Sequence, residues 1–143
     1  MMDKSNQLYE FEDYACYSIF DQLVKQGELL YDYCSFDLLK ILAYDCAYKT
    51  PYGDTLRTYL ETGCSPALTA KILEIHRNTI DYRISRIRDL FGVTIDDHNL
   101  LFRFRLTFMI LDFIKQSRSE KDYIEYISMI AKLQNYPVVG SFS

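Results

Sequence analysis

Between positions 77 and 88 four arginines, Arg77, Arg83, Arg86 and Arg88, stand against one acid, Asp81, so a dozen residues carry a net +3. A guanidinium grips phosphate, or the edge of guanine, at two points, so this density of arginine is chemistry for binding a polyanion. At helical spacing Ile80, Ile84, Ile87 and Phe91 form one apolar stripe. The opposite pole then carries Asn78, Thr79, Tyr82 and Arg86, with Arg83 on a flank and Arg77 at the N-terminal end. Such a helix docks by its stripe and offers its other face to phosphates and base edges. Its N-terminus adds unpaired backbone N–H groups and a positive dipole end. The candidate DNA contacts are therefore His76, Arg77, Asn78, Thr79, Tyr82, Arg83 and Arg86, with His76 read as a turn or N-cap residue near a phosphate. Arg88 lies near the apolar edge, where an ion pair within the protein is an equal reading. Asp81 is read as the helical partner of Arg77 four residues earlier, with a cytosine amine as the alternative.

A groove-reading helix must be held by a second one. The segment SPALTAKILEIHRNTIDYRISRI supplies it. Ser65 and Pro66 open a short helix to Leu73, a tight turn spans Glu74 to His76, and the basic helix runs from Arg77 to Gly92. Ala70 is small where the two would cross, and Leu73 and Ile75 flank the turn. This is the pattern of a helix-turn-helix, whose second helix enters the major groove of duplex DNA. Elsewhere apolar residues also recur at helical spacing, and strand signals are absent, so the chain is expected to be all-α. Asp13 is the expected cap of a first helix ending near Gly27, with a further helical turn between Glu28 and Tyr33. Ser35 caps a helix to Tyr48, and Thr50 with Pro51 starts another that ends at Gly63. A loop through Asp96, Asp97 and His98 leads into a helix from Asn99 to Gln116. Ser119 with Asp122 makes a capping-box-like start for an additional C-terminal helix, followed by a loose tail after Pro137.

From about Thr50 to Phe113 the sequence resembles the C-terminal helix-turn-helix domain of the PucR family of bacterial transcription regulators, which includes the sugar diacid regulators. The resemblance rests on LRTYLETG, HRNTIDYRISRI and FGVTIDD, and more weakly on YEFEDYACYSIF at residues 9 to 20. It implies a Fis-like helix-turn-helix at the end of a longer regulator, whose effector-sensing region is expected to lie upstream and to be absent from this chain. Three positions depart from the family's pattern. Asp81 stands where a basic or neutral residue is usual, Glu74 takes a turn position that often uses Gly, and residues 117–143 extend past the usual end.

Composition sets the outer limits. The 143 residues are 49% hydrophobic and 25% charged, with 5 Gly and 3 Pro, which describes an ordered globular chain. Its formal net charge of -4 hides an uneven distribution. Residues 1–56 hold four Lys against ten acids, residues 57–105 eight basic against six acidic, and residues 106–143 four of each. The basic excess sits on the helix-turn-helix. The longest apolar stretch, Leu106 to Leu111, is far short of the roughly 20 residues of a membrane span. The N-terminus shows no secretory pattern, so a cytoplasmic protein with reduced thiols is expected.

Cys16, Cys34, Cys46 and Cys64, with His76 and His98, match no zinc-ligand spacing, and no metal or other cofactor is expected. Cys64 stands at a helix start, where a dipole can lower a thiol pKa, but a lone cysteine with no basic partner nearby in the sequence is not expected to be a redox thiol. The acid pairs Asp96–Asp97 and Glu12–Asp13 read as caps, and no nucleophile or phosphate-loop motif occurs, so an enzyme is not expected. Three segments follow: a helical lead-in over 1–49, the DNA-binding domain over 50–116, and a C-terminal helix and tail over 117–143, together one compact unit. A single recognition helix buries little surface, so a homodimer on two half-sites is expected. Phe104, Phe108, Leu111, Ile114, Ile124, Ile127, Ile130 and Leu133 are the apolar candidates for core or association. The rival reading is a helical protein–protein interaction module whose basic helix meets an acidic partner.

Overall fold

A computed structural model describes residues 4–117 and 120–134 of the chain. It is built from α1 (Lys4–Lys25), a 3-10 turn (Leu30–Tyr33), α2 (Phe36–Tyr48), α3 (Tyr52–Glu61), α4 (Pro66–Leu73), α5 (Arg77–Phe91), α6 (His98–Ser117) and α7 (Glu120–Leu133). Among the described residues there is no strand, as the helical periodicity requires. No helix there is long and apolar enough to cross a membrane.

Local chemistry accounts for most of the helix starts. Ser35 Oγ accepts from the Leu38 N–H at 3.4 Å, and Ser65 Oγ from the Leu68 N–H at 3.2 Å. Asp97 Oδ1 accepts from the Asn99 N–H at 2.9 Å, so α6 begins one residue earlier than expected and takes His98 out of the loop. Two starts differ more. Asp13 is no cap, because α1 already begins at Lys4; residues 4–12 contain neither Gly nor Pro, and nothing there breaks a helix. At α3 the Thr50 side chain caps no N–H. Its hydroxyl donates to the Asp45 carboxylate, which also accepts from the Tyr52 and Gly53 N–H groups at 3.0 and 2.6 Å. The cap of α3 thus comes from α2. Ser119, the expected cap of the last helix, and the tail after Pro137 lie outside the described residues.

Packing divides into two apolar clusters that share α2 and α6. In the first, Leu38 and Ile41 of α2 meet Leu56 and Leu60 of α3, Ala70 of α4, the inner face of α5, and Leu100, Phe104 and Phe108 of α6. In the second, Leu39 and Ala43 of α2 meet Phe20 of α1, Leu30, the C-terminal half of α6 from Ile110 to Ile114, and Ile130 and Leu133 of α7. Phe20 and Phe113 meet edge to face at 5.6 Å. Of the apolar candidates for core or association, Phe104, Phe108, Leu111, Ile114, Ile130 and Leu133 are buried within the single chain, and only Ile124 and Ile127 stay exposed.

Polar links stitch the seam. Thr107 Oγ1 accepts from the Ser35 N–H at 2.7 Å. Arg57 of α3 pairs through two nitrogens with the Asp112 carboxylate of α6 and lies over the Phe108 ring at 5.4 Å.

Candidate nucleic-acid interface

The α4–α5 pair is closed by a turn that the backbone makes at some cost. Glu74 adopts a left-handed conformation, φ 57°, which lets the Ile75 N–H reach the Ala70 carbonyl at 3.1 Å and brings α5 across α4 at the small, buried Ala70. The departure noted at Glu74 is therefore a real conformational demand, met by a residue with a Cβ. Helix α5 then starts on His76, whose Nδ1 accepts from the Asn78 N–H at 3.0 Å. That bond puts the imidazole proton on Nε2, a donor on an exposed ring. At the far end Gly92, φ 64°, closes the helix with its N–H on the Arg88 carbonyl.

On α5 itself, Ile80, Ile84, Ile87 and Phe91 are buried as the stripe requires, and Leu90 joins them. This fifth apolar residue widens the inner arc and turns the outer pole. Asn78, Tyr82, Ser85 and Asp89 face directly outward, with Tyr82 63% exposed. Ser85 and Asp89 belong to this pole although they are not among the sequence-based candidates, and the 100° spacing by itself puts Asp89 opposite the stripe. Arg77 and Asp81 are exposed on one side of this pole, their nearest charged atoms 4.0 Å apart.

Thr79, Arg83 and Arg86 are half-buried on the other side. Arg83 Nη1 donates to Thr55 Oγ1 at 3.1 Å. Arg86 lies beside the Tyr52 and Tyr44 phenols, and the Tyr52 hydroxyl holds its pKa above the ordinary guanidinium value. Burial pushes the Tyr44 phenol up. The helix thus brings Asn78, Tyr82 and Arg77 together at the surface, with His76 at its head, while Arg83 is tied back to α3 and Arg86 lies beside Tyr52.

Arg88 points to the opposite flank. It lines a cleft of about 590 Å³ with Tyr59, Cys64, Asp96, His98 and Arg105, and makes no ion pair among the described residues. Burial pushes the Cys64 thiol up, against the direction a reactive thiolate needs, with Arg105 the opposing influence.

Residues 52–110 match the family profile of the PucR C-terminal helix-turn-helix domain. This segment is similar to the PucR-type helix-turn-helix domain. Three proteins of Bacillus subtilis (strain 168) are similar to the chain. The proline-responsive transcriptional activator PutR is 28% identical over 109 residues, which are 76% of this chain and 26% of that protein. The purine catabolism regulatory protein is 44% identical over 52 residues, 36% of this chain and 10% of that protein. The DNA-binding transcriptional activator AdeR is 25% identical over 100 residues, 70% of this chain and 24% of that protein. The chain therefore spans about a quarter or less of the length of these relatives. No solved structure matches it. The matched stretch takes in α3, α4, α5 and the first part of α6 and ends at Ile110, the first buried α6 residue of the second apolar cluster.

Proposed function

We propose that this chain is the DNA-binding part of a cytoplasmic bacterial transcription regulator and that α5 reads duplex DNA in the major groove. The observation that carries the reading is the outer face of α5: an exposed Asn78, Tyr82 and Arg77, a capped N-terminus with a His76 donor, and an inner face buried in a PucR-type helix-turn-helix. His76 and Arg77 at the helix head serve phosphates, with Arg83 holding the backbone from the flank. Asn78, Thr79 and Tyr82 meet base edges or thymine methyls, and Arg86 grips guanine. The names of two of the relatives, both transcriptional activators, support this assignment. Effector sensing belongs to a part of the regulator outside this chain. The regulator works as a homodimer on two half-sites about one helical turn apart, since one recognition helix buries too little surface alone.

The test is fluorescence anisotropy on a duplex selected from a randomised pool by this chain and on its scrambled counterpart, across a salt series. Arg77→Ala and Arg83→Ala should weaken binding to both duplexes and reduce the salt slope by about one ion each. Asn78→Ala and Tyr82→Ala should cost about 1–3 kcal/mol on the selected duplex and far less on the scrambled one. Unchanged affinity in Arg77→Ala, Arg83→Ala and Tyr82→Ala together would overturn the proposal and favour a protein partner.

A further inference from the structure

The cleft that Arg88 lines has four walls: the end of α3 with the turn after it, the last part of α5, the loop beyond Gly92, and the start of α6. At about 590 Å³ it lies within the range of small-molecule sites. None of its side chains belongs to the DNA-reading face of α5.

Four polar side chains border it with donors to spare. Arg88 of α5 and Arg105 of α6 make no ion pair among the described residues, and the Tyr59 hydroxyl and the His98 ring make no hydrogen bond there. Asp96 is the one acid that lines the cleft, and it pairs with neither arginine. Glu61, which shares a smaller neighbouring cleft with Arg105, is already engaged by Arg57. Two guanidiniums thus border one space without an ion-pair partner, and an anion between them removes their repulsion. Burial keeps the Tyr59 phenol and the Cys64 thiol above their ordinary pKa values, so neither adds negative charge at neutral pH and Tyr59 remains a donor.

Between the charges the lining is apolar: Leu60 and Ile95 are buried and Leu101 is half-buried. A carboxylate brings one charge and one two-point edge, enough for a single guanidinium. A phosphate monoester brings about -1.5 to -2 charges at pH 7 and several terminal oxygens, enough for both arginines and a phenol donor. The Asp96 carboxylate, an acceptor only, then suits a hydroxyl on the rest of the molecule.

We propose that this cleft binds a small phosphate monoester with a hydroxylated body, its phosphate held between Arg88 and Arg105 and its hydroxyls turned to Asp96. The site is separate from the DNA contacts and does not depend on them. One wall is the turn between α3 and α4, where Gly63 and Cys64 both take left-handed backbone, φ 69° and 65°, so the bound molecule meets the segment that sets α4 as well as the last turn of α5.

Isothermal titration calorimetry of the 143-residue chain at low salt tests this with ribose 5-phosphate, inorganic phosphate and ribose. Ribose 5-phosphate should bind, inorganic phosphate about tenfold more weakly, and ribose not at all. Arg88→Gln and Arg105→Gln should each weaken ribose 5-phosphate about tenfold, as expected when a hydrogen bond to a charged group is lost. Arg103→Gln removes the same charge from an exposed position outside the cleft and should change nothing. Asp96→Ala should weaken ribose 5-phosphate while inorganic phosphate binds no worse. Arg88, Arg105 and Asp96 are all exposed, so the variants should keep the melting temperature of the unaltered chain.

No binding of ribose 5-phosphate or of adenosine 5′-monophosphate at millimolar concentration, or an equal loss in Arg103→Gln, would overturn the site. Equal affinity for inorganic phosphate would refute the role given to the hydroxylated body. A DNA phosphate is the rival source of the same chemistry. If no monoester binds while Arg88→Gln and Arg105→Gln weaken a scrambled duplex and shallow its salt slope, the cleft is a backbone contact and the proposal fails. Monoester binding that both variants abolish supports the site whether or not α5 reads DNA.

Discussion

The two apolar clusters differ in where their polar groups lie. Of the four buried polar side chains among the described residues, Thr55, Thr58 and Thr69 belong to α3 and α4, and Thr107 lies at the seam. Around the first cluster these hydroxyls form a lattice: Thr62 and Thr69 meet at 2.9 Å, Thr69 donates to the Ser65 carbonyl at 2.7 Å, and Thr55 joins Pro51 to Arg83. The buried members of the second cluster, Phe20, Leu39, Ile110, Phe113, Ile114 and their neighbours, are all apolar among the described residues. Apolar burial is non-directional, whereas a buried hydroxyl accepts only one arrangement of its partners. The first region therefore holds α4 and α5 in a defined relation, and the second clamps α1 and α7 onto the long helices they share. The lesson is that geometry for recognition and bulk for stability are supplied by different chemistry, even where the same helix takes part in both.

The most forceful way to break this division is to cut each cluster at a large, almost fully buried side chain. Phe104→Ala should cost about 3–5 kcal/mol and Ile114→Ala about 2–5 kcal/mol in urea unfolding. The comparison is sharpened by DNA preference measured on the folded fraction, which Ile114→Ala should leave intact. Loss of preference in stable, folded Ile114→Ala protein would show that the two regions are not separable in function.

Next comes Gly53→Ala. The new methyl would meet Leu42 Cδ2 at 2.6 Å and Asp45 Oδ2 at 3.0 Å, so overpacking should cost about 1–3 kcal/mol. A variant as stable as the original would show that α2 and α3 can part without loss.

Asp45→Ala should cost about 1–2 kcal/mol as the loss of a helix cap, and Asp45→Asn less, since an amide oxygen still accepts. Burial holds the Asp45 carboxyl above its ordinary pKa, although Thr50, Gly53 and Tyr52 all donate to it. A raised acid pKa contributes stability that is full below the unfolded value and is lost as the pH rises through the folded one. The deficit of Asp45→Asn relative to the unaltered protein should therefore be larger in acid than at neutral pH. A pH series of urea midpoints with the opposite trend would contradict this.

Smaller still, and of opposite sign, Glu74→Gly should stabilise by up to about 1 kcal/mol, because the left-handed turn then carries no Cβ. Thermal melting decides it, and a lower midpoint would show that the Glu74 side chain does more than tolerate the turn. Asp81→Ala should barely move stability, since its pair with Arg77 is long and exposed, but should leave sequence preference intact and tighten binding to any duplex.

Much of this architecture was legible in one dimension because its causes are local. A serine before an apolar run, Pro66 at the first helical position, Gly92 after the last turn, and the recurrence of Ile80, Ile84 and Ile87 each act within a few residues, so the helix pair and its arginine-bearing segment followed from the sequence alone. The start of α1 shows the limit of local signals, since a good cap at Asp13 does not begin a helix where nothing upstream breaks it.

What only the tertiary structure decided is non-local. Asp45 caps a helix that begins seven residues later in another element, and Arg83 finds its partner 28 residues away. Periodicity places a side chain to within about one position around a helix, 100° in a straight α-helix, which separates inside from outside but not a free arginine from a pinned one. That distinction depends on which neighbour packs against the flank. The sequence alone therefore determined that α5 carries a basic face, and the packing of α3 decided which of its arginines are held.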